Sequence, residues 1–314
     1  MKRLILLFSL TAVPLTQVIA LECSINNAPL LDFGSKDPFV GGSVTANTPI
    51  QWSCSRNFFE VFFGLNSSFT MCLYVGTDNN GDVFPRNMTS ITPGSSIPFN
   101  VYPSPAGSTV IQPNTDAIAV PVSFSGFQPS SGTTTAFGIA PGPMPSSVLA
   151  EVHDTSMLNS QVRRINTGQS CNNTVGTLLT TYTLDATIEI PDQCRITAND
   201  LDFGTQSTPL AQTDSNTFID VRCTNASPFT VGLSNGLHAS GGSRRMSDGS
   251  NFVSYGLFQD SARNVDWDNT TNRKSDVGLG TGTSIMMTVF GRVPADPLAV
   301  PGDYTDTVTV DVEF

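Results

Sequence analysis

Leu31-Asp32-Phe33-Gly34 and Leu201-Asp202-Phe203-Gly204 are one four-residue phrase written twice in this chain. Each follows a Cys-x-Ile, Cys23-Ser24-Ile25 in the first half and Cys194-Arg195-Ile196 in the second. A second cysteine then arrives at nearly the same spacing, Cys54 and Cys223, and Gly64-Leu65 and Gly232-Leu233 follow each in turn. Two related modules in tandem are implied. Their strands read by alternation. Val308, Val310, Val312 and Phe314 share one face, with Thr307, Thr309, Asp311 and Glu313 on the other. Phe229, Val231 and Leu233 alternate after Cys223, with Val61, Phe63 and Leu65 as the expected counterparts. Leu184, Ala186, Ile188 and Ile190 form a strand that closes the first module. Helical periodicity is nearly absent, and turn residues punctuate the runs at short intervals. The expected fold class is all-β: two tandem sandwiches.

Residues 1–20 read as a signal peptide: basic Lys2 and Arg3, an apolar run from Leu4 to Val13, and a small-residue cleavage site at Val18-Ile19-Ala20. The run is too short to span a bilayer, so the mature chain is expected to start near Leu21 and to be exported. All six cysteines fall after that point, which suits an oxidising compartment. The repeat pairs Cys23 with Cys54 and Cys194 with Cys223, leaving Cys72 for Cys171. Closing a loop of about 30 residues is worth roughly 3.6 kcal/mol in the chain-entropy model. No Cys-x-x-Cys occurs, so a zinc site is disfavoured. The chain has 15 basic and 26 acidic residues, a net charge of −11. That balance argues against nucleic acid and anionic lipid, which reward dense basic patches. The length suits two domains, a head at 21–190 and a second module at 191–314, with Pro191-Asp192-Gln193 too short to be a loose linker.

Candidate chemistry is thin. Gly232-Leu-Ser-Asn-Gly236 fits the Gly-x-Ser-x-Gly pattern, but a hydrolase needs that serine on a strand-to-helix turn with an acid and a histidine downstream. The only histidines are His153 and His238. Asp78-Asn79-Asn80-Gly81-Asp82 resembles the opening of a calcium loop, yet Thr89 stands where the bidentate glutamate belongs; an Asx-rich turn is expected. Sequons occur at Asn66 and Asn87 and are read as solvent-facing. Phe58, Phe59, Phe62 and Phe63 are the densest aromatic cluster, read mostly as core, with Phe63 inward beside Val61 and Leu65. No metal, cofactor or catalytic residue is expected, and the chain reads as a non-enzyme.

The second module resembles the spore coat protein U family, whose members include subunits of archaic chaperone–usher pili. The matching residues are Cys194 with Leu201–Gly204, Val221-Arg-Cys223, Val231–Gly236, Arg245-Met246, Tyr255–Phe258 with Asp260, Trp267, Val289–Val293 and Pro301–Val308. In the first module the likeness covers mainly residues 23–76. A two-module chain of this length is similar to the tip adhesins of Csu-type pili.

The resemblance implies two tandem immunoglobulin-like, pilin-like sandwiches, the C-terminal one incomplete: a groove left by its missing strand is filled first by a periplasmic chaperone and then by an extension of the next subunit, handed over at an outer-membrane usher. The physics is β-augmentation. Only Leu21 and Glu22 precede Cys23 in the expected mature chain, leaving nothing to donate; a subunit that only accepts belongs at the pilus tip, on the cell surface, with a role in attachment and biofilm formation. Val308, Val310, Val312 and Phe314 are expected to border the groove. The first module carries Pro/Gly-rich loops at 102–107, 126–132 and 138–145. Adhesion to hydrophobic or host surfaces is expected through Pro105, Phe127, Ile139, Ala140, Pro141 and Met144. The competing readings are a glycan-binding head, with Tyr74, Asp78, Asn79 and Asn80 as its candidate site, and a coat or matrix protein that does not polymerise.

Overall fold

The computed structural model describes residues 21–107, 109–172 and 176–314; residues 1–20, the expected signal peptide, lie outside the described residues. Its regular secondary structure is nearly all strand. The first module runs β1 (Glu22–Ile25), β2 (Leu30–Ser35), β3 (Val44–Ser55), α1 (Phe58–Phe62), β4 (Ser68–Tyr74), β5 (Arg86–Thr89), β6 (Ser96–Tyr102), β7 (Ile118–Ser123), β8 (Ser130–Ala140), β9 (Val152–Ile165) and β10 (Thr177–Glu189). The second runs β11 (Cys194–Ala198), β12 (Thr213–Cys223), β13 (Pro228–Leu233), β14 (Arg244–Ser247), β15 (Phe252–Phe258), β16 (Lys274–Val277), β17 (Ile285–Val293) and β18 (Val310–Glu313).

The two modules share one topology. One layer of the first is β1-β3-β8-β6-β5, and one layer of the second is β11-β12-β17-β15-β14, strand for strand. The facing layer places β4 between β7 and β9 in the first and β13 between β16 and β18 in the second. Sequence echoes follow the pairing. Ser68-Phe-Thr-Met-Cys-Leu73 of β4 answers Pro228-Phe-Thr-Val-Gly-Leu233 of β13, Arg86-Asn-Met88 answers Arg244-Arg-Met246, and Ala136-Phe-Gly138 answers Val289-Phe-Gly291. The inward residues Phe69, Met71 and Leu73 match Phe229, Val231 and Leu233, all nearly inaccessible. Val61, Phe63 and Leu65 are therefore not the counterparts of that strand, as alternation had suggested.

Two buried arginines mark the equivalence. Arg86 donates to the carbonyl oxygens of Gly76, Val75 and Ile111 at 2.9–3.0 Å. Arg244 donates to those of Ser234, Leu233 and Trp267 at 2.7–2.9 Å. Each satisfies carbonyls that leave the sheet where the central strand ends. Burial pulls the Arg86 guanidinium down to about 10, and it lowers Arg244 as well.

The three disulfides join Cys23–Cys54, Cys72–Cys171 and Cys194–Cys223. The first and third are cross-strand pairs in register. The second closes a separation of 99 residues, and its sulfurs sit with Tyr74 and Ile165 in a small cluster of their own. Removing it with Cys72→Ala and Cys171→Ala should cost on the order of 4–5 kcal/mol, since loop-closure entropy grows with span. Urea unfolding of the double variant against the parent measures this; a change below about 1 kcal/mol would contradict the assignment.

Each module buries its own core, Leu21 to Ile190 in one and Cys194 to Val293 in the other. They meet through a short junction. Arg195 pairs with Asp37 and stacks over Phe39 at 5.2 Å. Leu149 bridges Asn225, whose amide donates to the Ser147 carbonyl at 3.1 Å. β10 runs towards this junction and ends there, so its start at Thr177 marks the far pole. Thirteen residues of strand span about 40 Å.

Candidate functional site

The two Leu-Asp-Phe-Gly segments are locally alike. Asp32 Oδ1 accepts the Gly34 N–H at 2.8 Å, and Asp202 Oδ1 accepts the Gly204 N–H at 2.7 Å. Both glycines adopt positive φ, +69° and +67°, which glycine tolerates without a Cβ penalty. Both Leu-Phe pairs fold over a glycine of the facing layer. A Cβ on Gly138 would stand 2.7 Å from Phe33 and 3.1 Å from Leu31; one on Gly291 would stand 2.5 Å from Leu201 and 2.8 Å from Phe203.

Their cover differs. In the first module β10 pairs in parallel with β2 and antiparallel with β9, so Leu31 and Phe33 are 0% and 2% exposed. In the second, among the described residues, 201–204 belong to no strand and β18 pairs with β13 alone. Leu201 and Phe203 remain half-buried. A groove of about 690 Å³ opens between these edges. Ile219, Leu257 and Val289 line its floor, Leu201 and Phe203 one side, Val308 and Val310 the other. It adjoins a second cleft of about 790 Å³ around Phe203, Met246 and Tyr304. Tyr255 donates to Asp306 Oδ2 at 2.7 Å, and Asp306 Oδ1 accepts the Leu237 N–H at 2.9 Å, anchoring the segment ahead of β18. Burial and this carboxylate raise the Tyr255 phenol above its usual range. An apolar floor between two unpaired backbone edges fits an extended chain, whose N–H and C=O groups would satisfy both sides.

Val308 and Val310 line this groove, and Val312 packs on the same core. Phe314 is a correction: it is 53% exposed and borders a separate cleft with Pro228, Phe229 and Val277.

The far pole of the first module carries an aromatic patch that strand periodicity misread. Phe58, Phe59, Phe62 and Phe63 lie at i, i+1, i+4 and i+5, a helical spacing, and Asn57 and Glu60 form the capping box that starts α1. Glu60 is fully buried, and its carboxylate accepts from the Asn57 N–H and the Asn66 amide. The four rings are 45–70% exposed, and Phe127 joins them at 61%. Phe58 stacks on Phe62 at 5.9 Å and on Phe127 at 6.0 Å. Arg56 ties the two segments by donating to the Gly126 carbonyl at 2.7 Å and lying over Phe124.

The other adhesive candidates separate. Pro105 and Pro141 are exposed. Ile139 is half-buried within β8, and Ala140 and Met144 are 0% and 4% exposed. Those two are corrections: β8 continues to Ala140, in register with Val44, and Met144 packs into the core beyond it. Tyr74 is buried and donates to the Cys171 carbonyl, so it offers no face to a sugar. Asp78 is an Asx turn: Oδ1 accepts from Asn80 and Asp82, Oδ2 from Asn87. Asn66 is half-buried with both amide ends engaged, by Glu60 and by Arg164.

Ser234 Oγ accepts the Thr309 N–H at 2.8 Å and the Gly236 N–H at 3.4 Å; it holds the approach to β18 and sits on no helix. Sequence reasoning missed a second Ser–His pair. Ser95 Oγ meets His153 Nε2 at 2.6 Å while His153 Nδ1 meets the Glu151 carbonyl at 3.1 Å. Ser95 also accepts the Leu149 N–H, and both side chains are sealed from solvent. Burial lowers the His153 pKa. A depressed folded pKa leaves the unfolded chain binding more protons, so stability is full above the unfolded value of about 6.5 and falls as pH drops below it. Urea midpoints between pH 7.5 and 5 should decline, and His153→Gln should flatten that slope; an unchanged slope would exclude His153 as the source.

A profile for the Spore Coat Protein U domain matches this chain twice, at residues 9–153 and 180–311. Protein U of Myxococcus xanthus is 32% identical over 104 residues, covering 31% of this chain and 58% of that protein; the match thus spans a little over half of that relative. Among solved structures, the CsuC–CsuE chaperone–tip adhesion subunit pre-assembly complex from archaic chaperone–usher Csu pili of Acinetobacter baumannii aligns with a TM-score of 0.55 and 19% identity. That alignment covers 93% of this chain and 100% of the matched one, a likeness of fold.

Proposed function

This chain is a member of the Spore Coat Protein U domain family, and we propose that it serves there as the exported, non-enzymatic tip adhesin of a chaperone–usher pilus. Residues 21–190 form the binding head and residues 191–314 the pilin module. One observation carries the reading: β10 fills in the first module the place that stays open between Leu201 and Val308 in the second. A head closed by its own strand is free to bind, while the open module accepts a strand from another chain. A periplasmic chaperone occupies the groove first; the next subunit replaces it at the outer-membrane usher. The head then sits at the cell surface and attaches to apolar surfaces, promoting biofilm formation. Its contact is the phenylalanine patch at the pole farthest from the junction; Pro105 is exposed on a separate loop, and Pro141 follows the opposite, junction-side end of β8.

The test is a full-length chain carrying a complementing strand fused after Phe314 through a flexible linker. Periplasmic yield should rise several-fold and the second module's unfolding midpoint should increase. No gain from the fused strand or from co-expressed cognate chaperone would favour a non-polymerising coat protein.

One observation favours a second reading, a glycan-binding head. A cleft of about 860 Å³ beside the patch is lined by Glu22, Ser24, Ser53 and Ser55, polar groups suited to sugar hydroxyls. Competition of attachment by free sugars would select it; attachment indifferent to sugar selects the apolar contact.

A further inference from the structure

The first module holds a worked example of the strand that the second module lacks. β10 turns Tyr182, Leu184, Ala186 and Ile188 inward, followed by Ile190; all five are at most 9% exposed. Thr181, Thr183 and Glu189 between them face solvent. The inward order is large, large, small, large, large. The small residue has a fixed address: Ala186 is the register partner of Leu31, and Thr187 that of Asp32. Leu31 is pressed on the other side against Gly138, which has no Cβ to yield. A larger side chain at 186 would have to displace Leu31, whose far side is already filled by backbone.

The second module repeats the side chains that create this restriction. Leu201 and Phe203 take the places of Leu31 and Phe33, and Gly291 that of Gly138, with equally short approaches. Tyr255 and Leu257 answer Phe99 and Val101, because Arg86 pairs with Phe99 and Arg244 with Tyr255.

We infer that the second-module groove selects a strand by side-chain size: its occupant runs parallel to residues 201–204 and sets an alanine-sized residue against Leu201, flanked by large apolar residues two positions away on each side. This inference rests on the acceptor reading above. Overfilling one packed site costs enough to weaken binding by tenfold or more.

The probes are four synthetic peptides tested by fluorescence anisotropy against the full-length protein. One is residues 177–190 of this chain, one is the same with Ala186→Leu, one has its inward set shifted by one position, and one is a uniform Val-Thr alternation. The first should bind most tightly, the second at least tenfold more weakly, and the shifted peptide not measurably. Leu201→Ala in the protein should restore binding of the Ala186→Leu peptide, since the added bulk is then accommodated. Equal affinity for the first, second and uniform peptides would overturn size selection while leaving an open groove. Failure of all four to bind would remove the acceptor reading itself, and the inference with it.

Discussion

A chain with Phe58→Ser, Phe62→Ser and Phe63→Ser should lose attachment to a hydrophobic surface by at least tenfold. These rings are 60–70% exposed, so each still has apolar area to bury on contact, worth roughly 1 kcal/mol per ring at 25 cal/mol per Å². Three rings together correspond to roughly 3 kcal/mol, or about a hundredfold, before the cost of immobilising the head is counted. The same exposure limits their share in folding, so the unfolding midpoint should stay close to the parent's. The capping box of Asn57 and Glu60 holds α1 without them. Changing Ala140 or Met144 should do the reverse, lowering stability through the core. Attachment to polystyrene beads, read beside a thermal melt, separates the two. Full attachment by the triple variant would remove the patch from the account.

Arg244→Met should destabilise the second module by about 3 kcal/mol or more. The substitution keeps much of the side-chain volume but strips donors from three buried carbonyls, those of Ser234, Leu233 and Trp267, and each orphaned group costs roughly 1–3 kcal/mol. Arg244→Lys should rescue little, because a point charge cannot reach three acceptors held by a planar fork. Arg86→Met should have the same effect in the first module, where the acceptors are Gly76, Val75 and Ile111. Urea unfolding resolved by module gives both values. A loss under about 1 kcal/mol would mean that water replaces the guanidinium and that the shared arginine is not a structural keystone.

The repeat was legible because its residues have local reasons to recur. Asp and Gly in Leu-Asp-Phe-Gly build the same Asx turn twice, and paired strands bring the cysteines into register. The phenylalanines were misread because a five-residue helix offers too little sequence to outweigh an all-β setting; the signal that could have found it is Asn57-x-x-Glu60 followed by rings at helical spacing. The true counterpart of β13 was missed for a related reason, since α1 pushes β4 further from Cys54 than β13 lies from Cys223. Ala140 and Met144 were read as loop because Gly and Pro surround them, yet pairing with β3 carries β8 through Ala140. The buried arginines were hidden by their charge, which alternation assigns to the surface. The groove needed the comparison of the two modules, because an unpaired edge is a property of what faces a segment, and Leu201-Asp-Phe-Gly204 reads the same whether or not a strand lies beside it.

Hydrogen–deuterium exchange on the full-length protein tests the central claim most directly, because the first module serves as control for the second within one molecule. Amides of Leu31–Phe33 and of β10 should be strongly protected. Those of Leu201–Phe203 and Thr307–Val308 should exchange at least a hundredfold faster, and should become protected when a complementing strand is added. Equal protection of the two Leu-Asp-Phe-Gly segments in the protein alone would mean that the second sandwich is already closed, and would contradict the account.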